Sequence, residues 1–450
     1  MNQPQPVVAE LVQSLGYQAI TPDSVNWLRA SQPWNIAVHQ SPLAVVTAGT
    51  ADEVRAVLAI ARHHGVSVTT QLTGHGANHR LDGMIVLRPS GFDELTIDVE
   101  ARTARIGAGV RWGEVAAALD GTGLVAAFGS NPSVGVVGYL LAGGVSLFSR
   151  ATGLGAWALR AVELISADGV AHRITDGELM WALRGAGGSF GIVTAVEIDL
   201  FPAADVYGGK LLFGLDEAGD VLDAVLSNGA DADSALNMSV NLTQVPKRDD
   251  IAPMLQGVRL VSIDVFGFDS ESEHMRTLDA IRGDIHPIVD DALGHLAVSG
   301  VHQVVNEPTK PSASGDFSRL ATVDRAMIDQ LVELFESADG QVLRNVQVRL
   351  LGGRLAEEPG VSAIAGPLTD PHLVLGVGPA VPGDERVDRA YARLGEIVEV
   401  EGKPRTVASF LTRGQDYRDA YDDEAISKWF AVRDEFNPDA LIRSNRDPQR

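Results

Sequence analysis

The sequence contains no cysteine and little positive charge. None of its 450 residues is a cysteine, which excludes disulfides, thiol nucleophiles, iron–sulfur clusters and thiolate metal sites. Lys and Arg number 36 against 59 Asp and Glu, a net charge of −23. Nucleic acids and anionic membranes bind basic patches, so we expect neither as a partner.

Long apolar runs are also missing. No stretch approaches the ~18 uncharged apolar residues of a membrane-spanning helix. The first residues show neither the basic start nor the apolar segment of a secretion signal. We therefore expect a soluble, cytoplasmic protein.

Aromatic residues make up only 6% of the chain, whereas glycine is abundant at 47 residues and hydrophobic residues reach 45%. This composition is that of a globular protein, and the length suggests two to three domains. The glycines are not periodic, which excludes collagen. Many Gly, Val and Ala residues with few aromatics favour an α/β or α+β fold.

The first 200 residues mix helices and strands. Thr50 and Glu53 form a capping box, apolar residues recur at helical spacing over 54–61, and Gly65 ends the predicted helix. Strands at 43–46 and 66–70 flank this helix, as in a βαβ crossover. Hairpins are predicted at 96–106 and 161–174, and further strands at 84–88 and 191–200.

The pattern changes after residue 205, where strands and longer helices are predicted to form an antiparallel sheet covered by helices on one face. The predicted strands are 208–213, 235–242, 258–266 and 342–351, and the predicted helices are 221–226, 272–281, 323–337 and 386–399. A last helix is predicted over 424–436, before Asn437 and Pro438.

Four glycine clusters stand out in the first half, at 73–76, 107–109, 130–144 and 185–191. Glycines after strands let the backbone approach a ligand, although any one of them can simply form a turn. Phe190 and Trp112 stand where a dinucleotide fingerprint needs glycine, and no P-loop or GxSxG motif is present. His75 and His79 have no Glu between them and no third ligand, so no metal site is predicted.

The order of these segments resembles the FAD-linked oxidases of the vanillyl-alcohol-oxidase superfamily, and within it the berberine-bridge-enzyme-like branch. The segments that carry the likeness are Thr73-Gly-His75, residues 131–138, Gly143-Gly144, residues 150–154, residues 167–169, residues 179–194 and the tail 436–445. The likeness covers about 35–205 and 405–445, and the segment 179–194 is the most specific part.

The resemblance implies an α+β fold with two parts. One is a PCMH-type FAD-binding domain of two subdomains, formed by residues 1–205 and completed by a C-terminal segment, 405–450. The other is a substrate domain, 206–404, whose antiparallel sheet would cover the flavin.

The resemblance also implies which residues bind FAD. The loop from Thr69 to His75 would wrap the pyrophosphate, and His75 matches the histidine that often bonds to the flavin 8α-methyl group. Many relatives use a cysteine for a second bond; here Asn131 stands at that position, so at most one bond is possible. The full set of predicted cofactor residues is Thr69, Thr70, Gln71, Leu72, Thr73, Gly74, His75, Ser130, Ser133, Gly135, Val136, Gly138, Gly143, Gly191, Ile192, Val193 and Asn445.

The implied activity is a two-electron oxidation of a small molecule, such as an alcohol, sugar or amine. Hydride would pass to flavin N5, with O₂ as the usual acceptor. Tyr417 and Tyr421 lie where relatives carry tyrosines near the flavin and are candidate catalytic residues, as is a carboxylate of the covering sheet. Residues 409–412 lack the Asn and Tyr that relatives often carry. Non-covalent FAD, a dehydrogenase using another acceptor, and a flavin-binding protein without catalysis remain alternatives.

Overall fold

The computed structural model describes residues 6–78, 80–247, 249, 251, 253–283, 285, 287–288, 293–380, 384–400 and 402–449. His79 lies outside these residues. Their strands are β1 Ala19–Ile20, β2 Ala44–Thr47, β3 Val68–Thr70, β4 Ile85–Arg88, β5 Leu95–Asp98, β6 Thr103–Gly107, β7 Leu124–Val125, β8 Leu159–Ile165, β9 Ala171–Ile174, β10 Ile192–Asp199, β11 Phe201–Pro202, β12 Val206–Gly214, β13 Asn237–Gln244, β14 Arg259–Phe268, β15 Leu293–His295, β16 Gly315–Ala321, β17 Asn345–Leu350 and β18 His372–Gly378.

The α-helices of the described residues connect and cover these strands. They are α1 Pro6–Leu15, α2 Trp27–Ser31, α3 Ala51–His64, α4 Trp112–Leu119, α5 Val136–Leu141, α6 Ser149–Thr152, α7 Gly177–Ala186, α8 Ala218–Gly229, α9 Glu271–Arg282, α10 Val301–Val305, α11 Arg325–Glu336, α12 Glu385–Ile397 and α13 Asp423–Phe436. No helix of the described residues is long and apolar enough to span a membrane.

The first sheet has the strand order β1-β2-β4-β3, with β2, β4 and β3 parallel. Helix α3 connects β2 to β3, which confirms the predicted crossover, although β4 lies between the two strands. Its start is the predicted capping box, since Thr50 accepts a hydrogen bond from the Glu53 amide and Glu53 accepts one from the Thr50 amide. Gly65 ends it at φ = 65°, a left-handed conformation that suits glycine.

The second sheet, β5-β6-β10-β8-β9, is antiparallel and contains both predicted hairpins. Its inner face packs on α4, α5 and α7 around a core that includes Trp112, Phe128, Phe148 and Phe190. Thus the few aromatic residues of the chain are concentrated in this core.

The seven-stranded sheet β15-β12-β14-β13-β17-β18-β16, called the large sheet below, is antiparallel throughout. Apolar residues of α8, α9, α11 and α12 cover one of its faces, which confirms the predicted arrangement. The sequence reading missed β15, β16 and β18. The opposite face carries polar side chains and lines a cavity.

Buried polar contacts connect the large sheet to the glycine-rich part of the chain. The Arg150 side chain, 2% exposed, donates to the carbonyl of Leu351 at 2.5 Å and to that of Ala232 at 2.8 Å. Its backbone amide donates to Asn237 Oδ1 at 2.9 Å. The domain boundaries at 205/206 and 404/405 stay a prediction, and these contacts hold the two sides of the cavity together.

Candidate functional site

A cavity of about 1250 Å³ lies between the large sheet and the glycine-rich segments. The loop after β3, the start of α5, the segment 187–193 and the C-terminal tail form one side. Strands β12, β13, β14, β16, β17 and β18 contribute the other side. The fold therefore brings segments from the whole chain to one site.

Most of the predicted cofactor residues line this cavity: Thr69, Thr70, Gln71, Leu72, Thr73, Gly74, His75, Ser130, Gly135, Gly138, Gly191, Val193 and Asn445. Ser133, Val136, Gly143 and Ile192 do not line it. The side chains of Val136 and Ile192 are instead fully buried in apolar clusters. Ser133 lies behind His75 and contacts it.

The loop after β3 presents unpaired backbone donors to the cavity. Among the described residues, none accepts a hydrogen bond from the backbone N–H groups of residues 72–76. Gly74 has φ = 80°, and a Cβ there would lie 2.7 Å from Pro33 Cβ, so only glycine fits this turn. Consecutive free amides form an anion-binding site, and polar groups near the interior are normally paired. A ligand with negatively charged oxygens fits this loop.

Buried side-chain atoms around the cavity also lack partners in the described part of the chain. They share two features: each has almost no solvent exposure, and each belongs to a residue that lines the cavity. They are Trp34 Nε1, Thr70 Oγ1, Gln71 Oε1, Tyr139 Oη, Asn345 Oδ1 and Ser409 Oγ. Because unsatisfied buried groups cost ~1–3 kcal/mol each, so many at one cavity indicate a polar ligand.

Glycines leave room for a flat group beside α5. A Cβ on Gly138 would meet no protein atom within 4 Å, so the space next to this backbone belongs to the cavity. Glycines 129 and 144 instead pack against the Tyr139 ring, since a Cβ on them would lie 2.9 Å and 2.4 Å from it. The Tyr139 ring is thus fixed in place at the cavity wall.

His75 is held tightly at the cavity wall. Its ring stacks on Trp34 at 4.4 Å between centroids, with 19° between the planes. Nδ1 lies 2.8 Å from Thr73 Oγ1, and Nε2 lies 3.2 Å from Ser133 Oγ. Burial, helped by the charge of Arg111, lowers the pKa of His75 to about 3, so the ring is neutral at physiological pH.

The two candidate catalytic tyrosines make structural contacts. Tyr417 lines the cavity, but its hydroxyl donates to the Gly187 carbonyl at 3.2 Å. Tyr421 does not line the cavity, and its hydroxyl donates to the Gly185 carbonyl at 2.7 Å. Burial raises the pKa of both tyrosines well above the usual value. Both hydroxyls fix the segment 185–187, and a catalytic role for either stays a prediction that these contacts do not favour.

The C-terminal tail closes the site from one end. Asn445 lines the cavity and donates to the Gly76 carbonyl at 2.6 Å, which joins the tail to the loop after β3. Asn437, fully buried, donates from Nδ2 to the carbonyls of Ser189 at 2.8 Å and Ile442 at 2.6 Å. A carboxylate cannot donate these bonds, so asparagine rather than aspartate fits this position.

The cavity face of the large sheet carries a row of charged and polar side chains. Lys210 forms an ion pair with Asp264 on the neighbouring strand, and Asp264 is 2% exposed. Ser239 stands opposite Asp264 on one side and Arg349 on the other. Arg349 donates to Gln347 Oε1 at 3.0 Å. This row places a carboxylate and a guanidinium over the glycine-rich side.

Several lining residues had not been predicted from the sequence. Trp34 precedes the first recognisable motif, and no local pattern links it to His75. Tyr139 lies inside the glycine cluster at 130–144. An aromatic residue between glycines was the only local feature that could have indicated its place in the site. The polar residues of β13 and β17 could not be found without strand register, which is not a local property.

Comparison with known proteins identifies the ligand class. Residues 42–175 match the family model of the FAD binding domain. This part of the chain is therefore similar to an FAD-binding domain. The match confirms FAD as the cofactor predicted from the sequence, and the FAD-binding domain supplies the loop with free amides, His75 and Gly138.

Solved structures share the fold of the whole chain. The berberine-bridge-enzyme-like protein 1 of Physcomitrella patens aligns with a TM-score of 0.83 at 18% identity, covering 98% of this chain and 99% of that chain. For 6-hydroxy-D-nicotine oxidase of Arthrobacter nicotinovorans the TM-score is 0.80 at 21% identity, with both chains fully covered. These likenesses confirm the predicted α+β fold.

Curated relatives align over less than half of the chain. (R)-6-hydroxynicotine oxidase of Paenarthrobacter nicotinovorans is 32% identical over 42% of this chain and 42% of its own length. Xylooligosaccharide oxidase of Thermothelomyces thermophilus is 31% identical over 40% of this chain and 38% of its own length. The match thus spans about two fifths of the length of the curated relatives.

The residues present fit FAD. The free amides at 72–76 suit a pyrophosphate, the space beside Gly138 suits a flat ring, and the unpaired polar atoms suit a cofactor with many hydrogen-bonding groups. His75 belongs to this loop and contacts Ser133.

Proposed function

We propose that this chain is an FAD-dependent oxidase that oxidises an alcohol, sugar or amine carbon of a small polar molecule, with FAD bonded once, through His75. The observation that carries the proposal is a cavity with free amide donors on one side and a row of charged side chains on the other. The names of relatives support this class, since they include a 6-hydroxynicotine oxidase and a xylooligosaccharide oxidase.

Bound FAD would accept a hydride from the substrate carbon, and O₂ would act as the final electron acceptor. The chain must then orient the substrate and accept a proton from its O–H or N–H group. Three carboxylate residues line the cavity in the described part of the chain: Asp264, Glu307 and Asp316. We assign proton acceptance to Asp264, because it is buried, forms an ion pair with Lys210 and lies in the row with Arg349.

The substrate side has polar rather than aromatic character. Gln347 Nε2 donates to Asn241 Oδ1 at 2.7 Å, and Asn345 Nδ2 donates to the same atom at 3.2 Å. These bonds fix the amides and leave Asn345 Oδ1 as an unpaired acceptor. A substrate hydroxyl or amine can donate to it. We propose a small polar substrate on this basis and a cytoplasmic location from the sequence composition.

Anaerobic reduction of the bound flavin tests the proposed function. A panel of alcohols, reducing oligosaccharides and secondary amines is added to the full-length protein without oxygen, and the flavin absorption is followed. We expect at least one substrate class to bleach the flavin, and air to restore the colour with formation of H₂O₂. Dithionite is the control for reducible flavin.

The alternatives give other results in the same experiment. A dehydrogenase would be bleached by its substrate but reoxidised only slowly by air. A non-catalytic flavin-binding protein would be bleached by dithionite and by no substrate, which would contradict the proposed enzyme. The missing Asn and Tyr at 409–412 are the observation that favours this last alternative.

A further inference from the structure

A continuous set of hydrogen bonds connects His75 to the backbone of the segment before β16. Asn131 Nδ2 donates to the Pro308 carbonyl at 2.9 Å. The amide and the hydroxyl of Ser133 both donate to Asn131 Oδ1, at 2.9 Å and 2.6 Å. Ser133 Oγ lies 3.2 Å from His75 Nε2, and Thr73 Oγ1 lies 2.8 Å from His75 Nδ1.

The partners of Asn131 determine its orientation. The Pro308 carbonyl can only accept a hydrogen bond, so the atom that faces it is Nδ2. The Ser133 amide can only donate, so the atom that faces it is Oδ1. The Ser133 hydroxyl therefore faces an acceptor, and its single proton forms the hydrogen bond to Asn131 Oδ1.

Because the Ser133 proton points to Asn131, the Ser133 contact determines which nitrogen of His75 is protonated. Because Ser133 Oγ offers only lone pairs to His75, the 3.2 Å contact requires Nε2–H as the donor. A neutral imidazole has one N–H, so Nδ1 keeps its lone pair and accepts the Thr73 hydroxyl. We propose that Asn131 and Ser133 are positioning residues that hold His75 as the Nε2–H tautomer, which makes Nδ1 the nitrogen that bonds to the flavin.

This inference rests on the proposed attachment of FAD through His75. In that step a bond forms between Nδ1 and the 8α carbon, and one C–H bond of the 8α-methyl group breaks. The methyl proton and the Nε2 proton leave, and the two electrons remain on the flavin ring until O₂ takes them up with two protons as H₂O₂. The Nε2 proton leaves on the side of Ser133. Asn131 stands at the position where many relatives have a cysteine, and its role in this proposal is to fix the His75 tautomer through Ser133.

The tautomer can be observed directly by ¹⁵N NMR of full-length, histidine-labelled protein prepared without flavin. The His75 signals are assigned by their absence in H75A. We expect a protonated Nε2 and an unprotonated Nδ1 in the wild type. N131A frees the Ser133 hydroxyl to donate to Nε2 and is expected to shift the signals toward Nδ1–H. N131D loses the donor to the Pro308 carbonyl but keeps an acceptor for the Ser133 hydroxyl, so it should retain the Nε2–H tautomer.

The rate of attachment gives a second readout. FAD is added to the full-length protein, samples are quenched in acid, and the flavin that stays on the chain is measured by fluorescence. We expect N131A and S133A to attach FAD about tenfold more slowly, the ordinary effect of one hydrogen bond. S133T keeps a hydroxyl at this position and should attach FAD faster than S133A. In the NMR experiment, T73V removes a hydroxyl from the other ring nitrogen and should not reverse the tautomer.

The outcomes separate the two proposals. Wild-type His75 with a protonated Nδ1, or N131A and S133A that attach FAD at the wild-type rate, would overturn the role of Asn131 and Ser133. A wild type that binds FAD and never bonds to it would contradict the proposed attachment instead. The NMR signals then decide the tautomer independently of any flavin chemistry.

Discussion

Replacement of His75 by alanine is expected to remove all covalently bound flavin. Acid-precipitated wild-type protein should stay yellow, whereas precipitated H75A should be colourless with the flavin in the supernatant. The reason is that His75 is the proposed nucleophile on the cavity wall, and the cysteine-free chain offers no thiolate as a replacement. The free amides at 72–76 are unchanged by the substitution, so native H75A should still bind FAD non-covalently.

A matched control for H75A is H63A, since His63 is exposed near the end of α3 and lies outside the cavity. H63A should keep its flavin through acid precipitation. Release of the flavin from precipitated wild-type protein would contradict covalent attachment, and flavin that stays on precipitated H75A would contradict the assignment to His75.

Substitution of Asp264 by asparagine is expected to slow flavin reduction by substrate about 10²–10⁴-fold, the usual contribution of a positioned general base. The amide cannot accept the substrate proton, while the size of the side chain is kept. The measurement is the rate constant for anaerobic flavin bleaching in a stopped-flow instrument, with the substrate found in the panel. Substrate binding should change much less than this rate constant, because the loss concerns proton transfer.

The D264N substitution also leaves Lys210 without its ion partner, and breaking a buried pair is destabilising. The double variant K210M/D264N removes the unpaired charge and should be as slow as D264N while regaining stability. D205N, at an exposed carboxylate outside the cavity, is the matched control and should react at the wild-type rate. Flavin reduction at the wild-type rate in D264N would contradict the assigned role.

The sequence predicted those helices and strands whose ends are specified by residues close together in the chain. The Thr50–Glu53 capping box and the Gly65 terminus specify α3 because both act through adjacent backbone groups. Strands β16 and β18 were missed because each contains glycine and pairs with strands distant in sequence. These strands form by pairing with residues that lie far away in the sequence, so a short stretch of sequence does not predict them.

The residues of the candidate site also fall into two groups, those that a local pattern predicts and those that depend on long-range contacts. The glycine loop at 73–76 could be recognised because its function depends on backbone amides and a local turn. The row formed by Lys210, Asp264 and Arg349 depends on the register of four strands, and the Trp34–His75 stack depends on a long-range contact. Tertiary structure was needed to find both.

The absence of cysteine has a more specific meaning once the structure is known. Asn131 does not simply leave the second attachment point empty, because its amide is fixed between Pro308 and Ser133. With one bond to the protein, the flavin is expected to be less oxidising than in relatives that have two. A redox titration of this protein and of relatives with two bonds compares their flavin reduction potentials directly.

The FAD content of the Gly138→Leu variant tests the central claim, that the cofactor lies in this cavity beside α5. No protein atom lies within 4 Å of a Cβ on Gly138, so the leucine side chain should enter the cavity without displacing the protein. Gly300→Leu, which also meets no atom and lies outside the cavity, is the matched control.

The account predicts about one FAD per chain in the wild type and in Gly300→Leu, and a folded Gly138→Leu protein with little or no flavin. Flavin content is measured from the absorption spectrum of the purified full-length proteins, and folding from circular dichroism. A colourless wild type, or a Gly138→Leu protein that binds as much FAD as the wild type, would contradict the account.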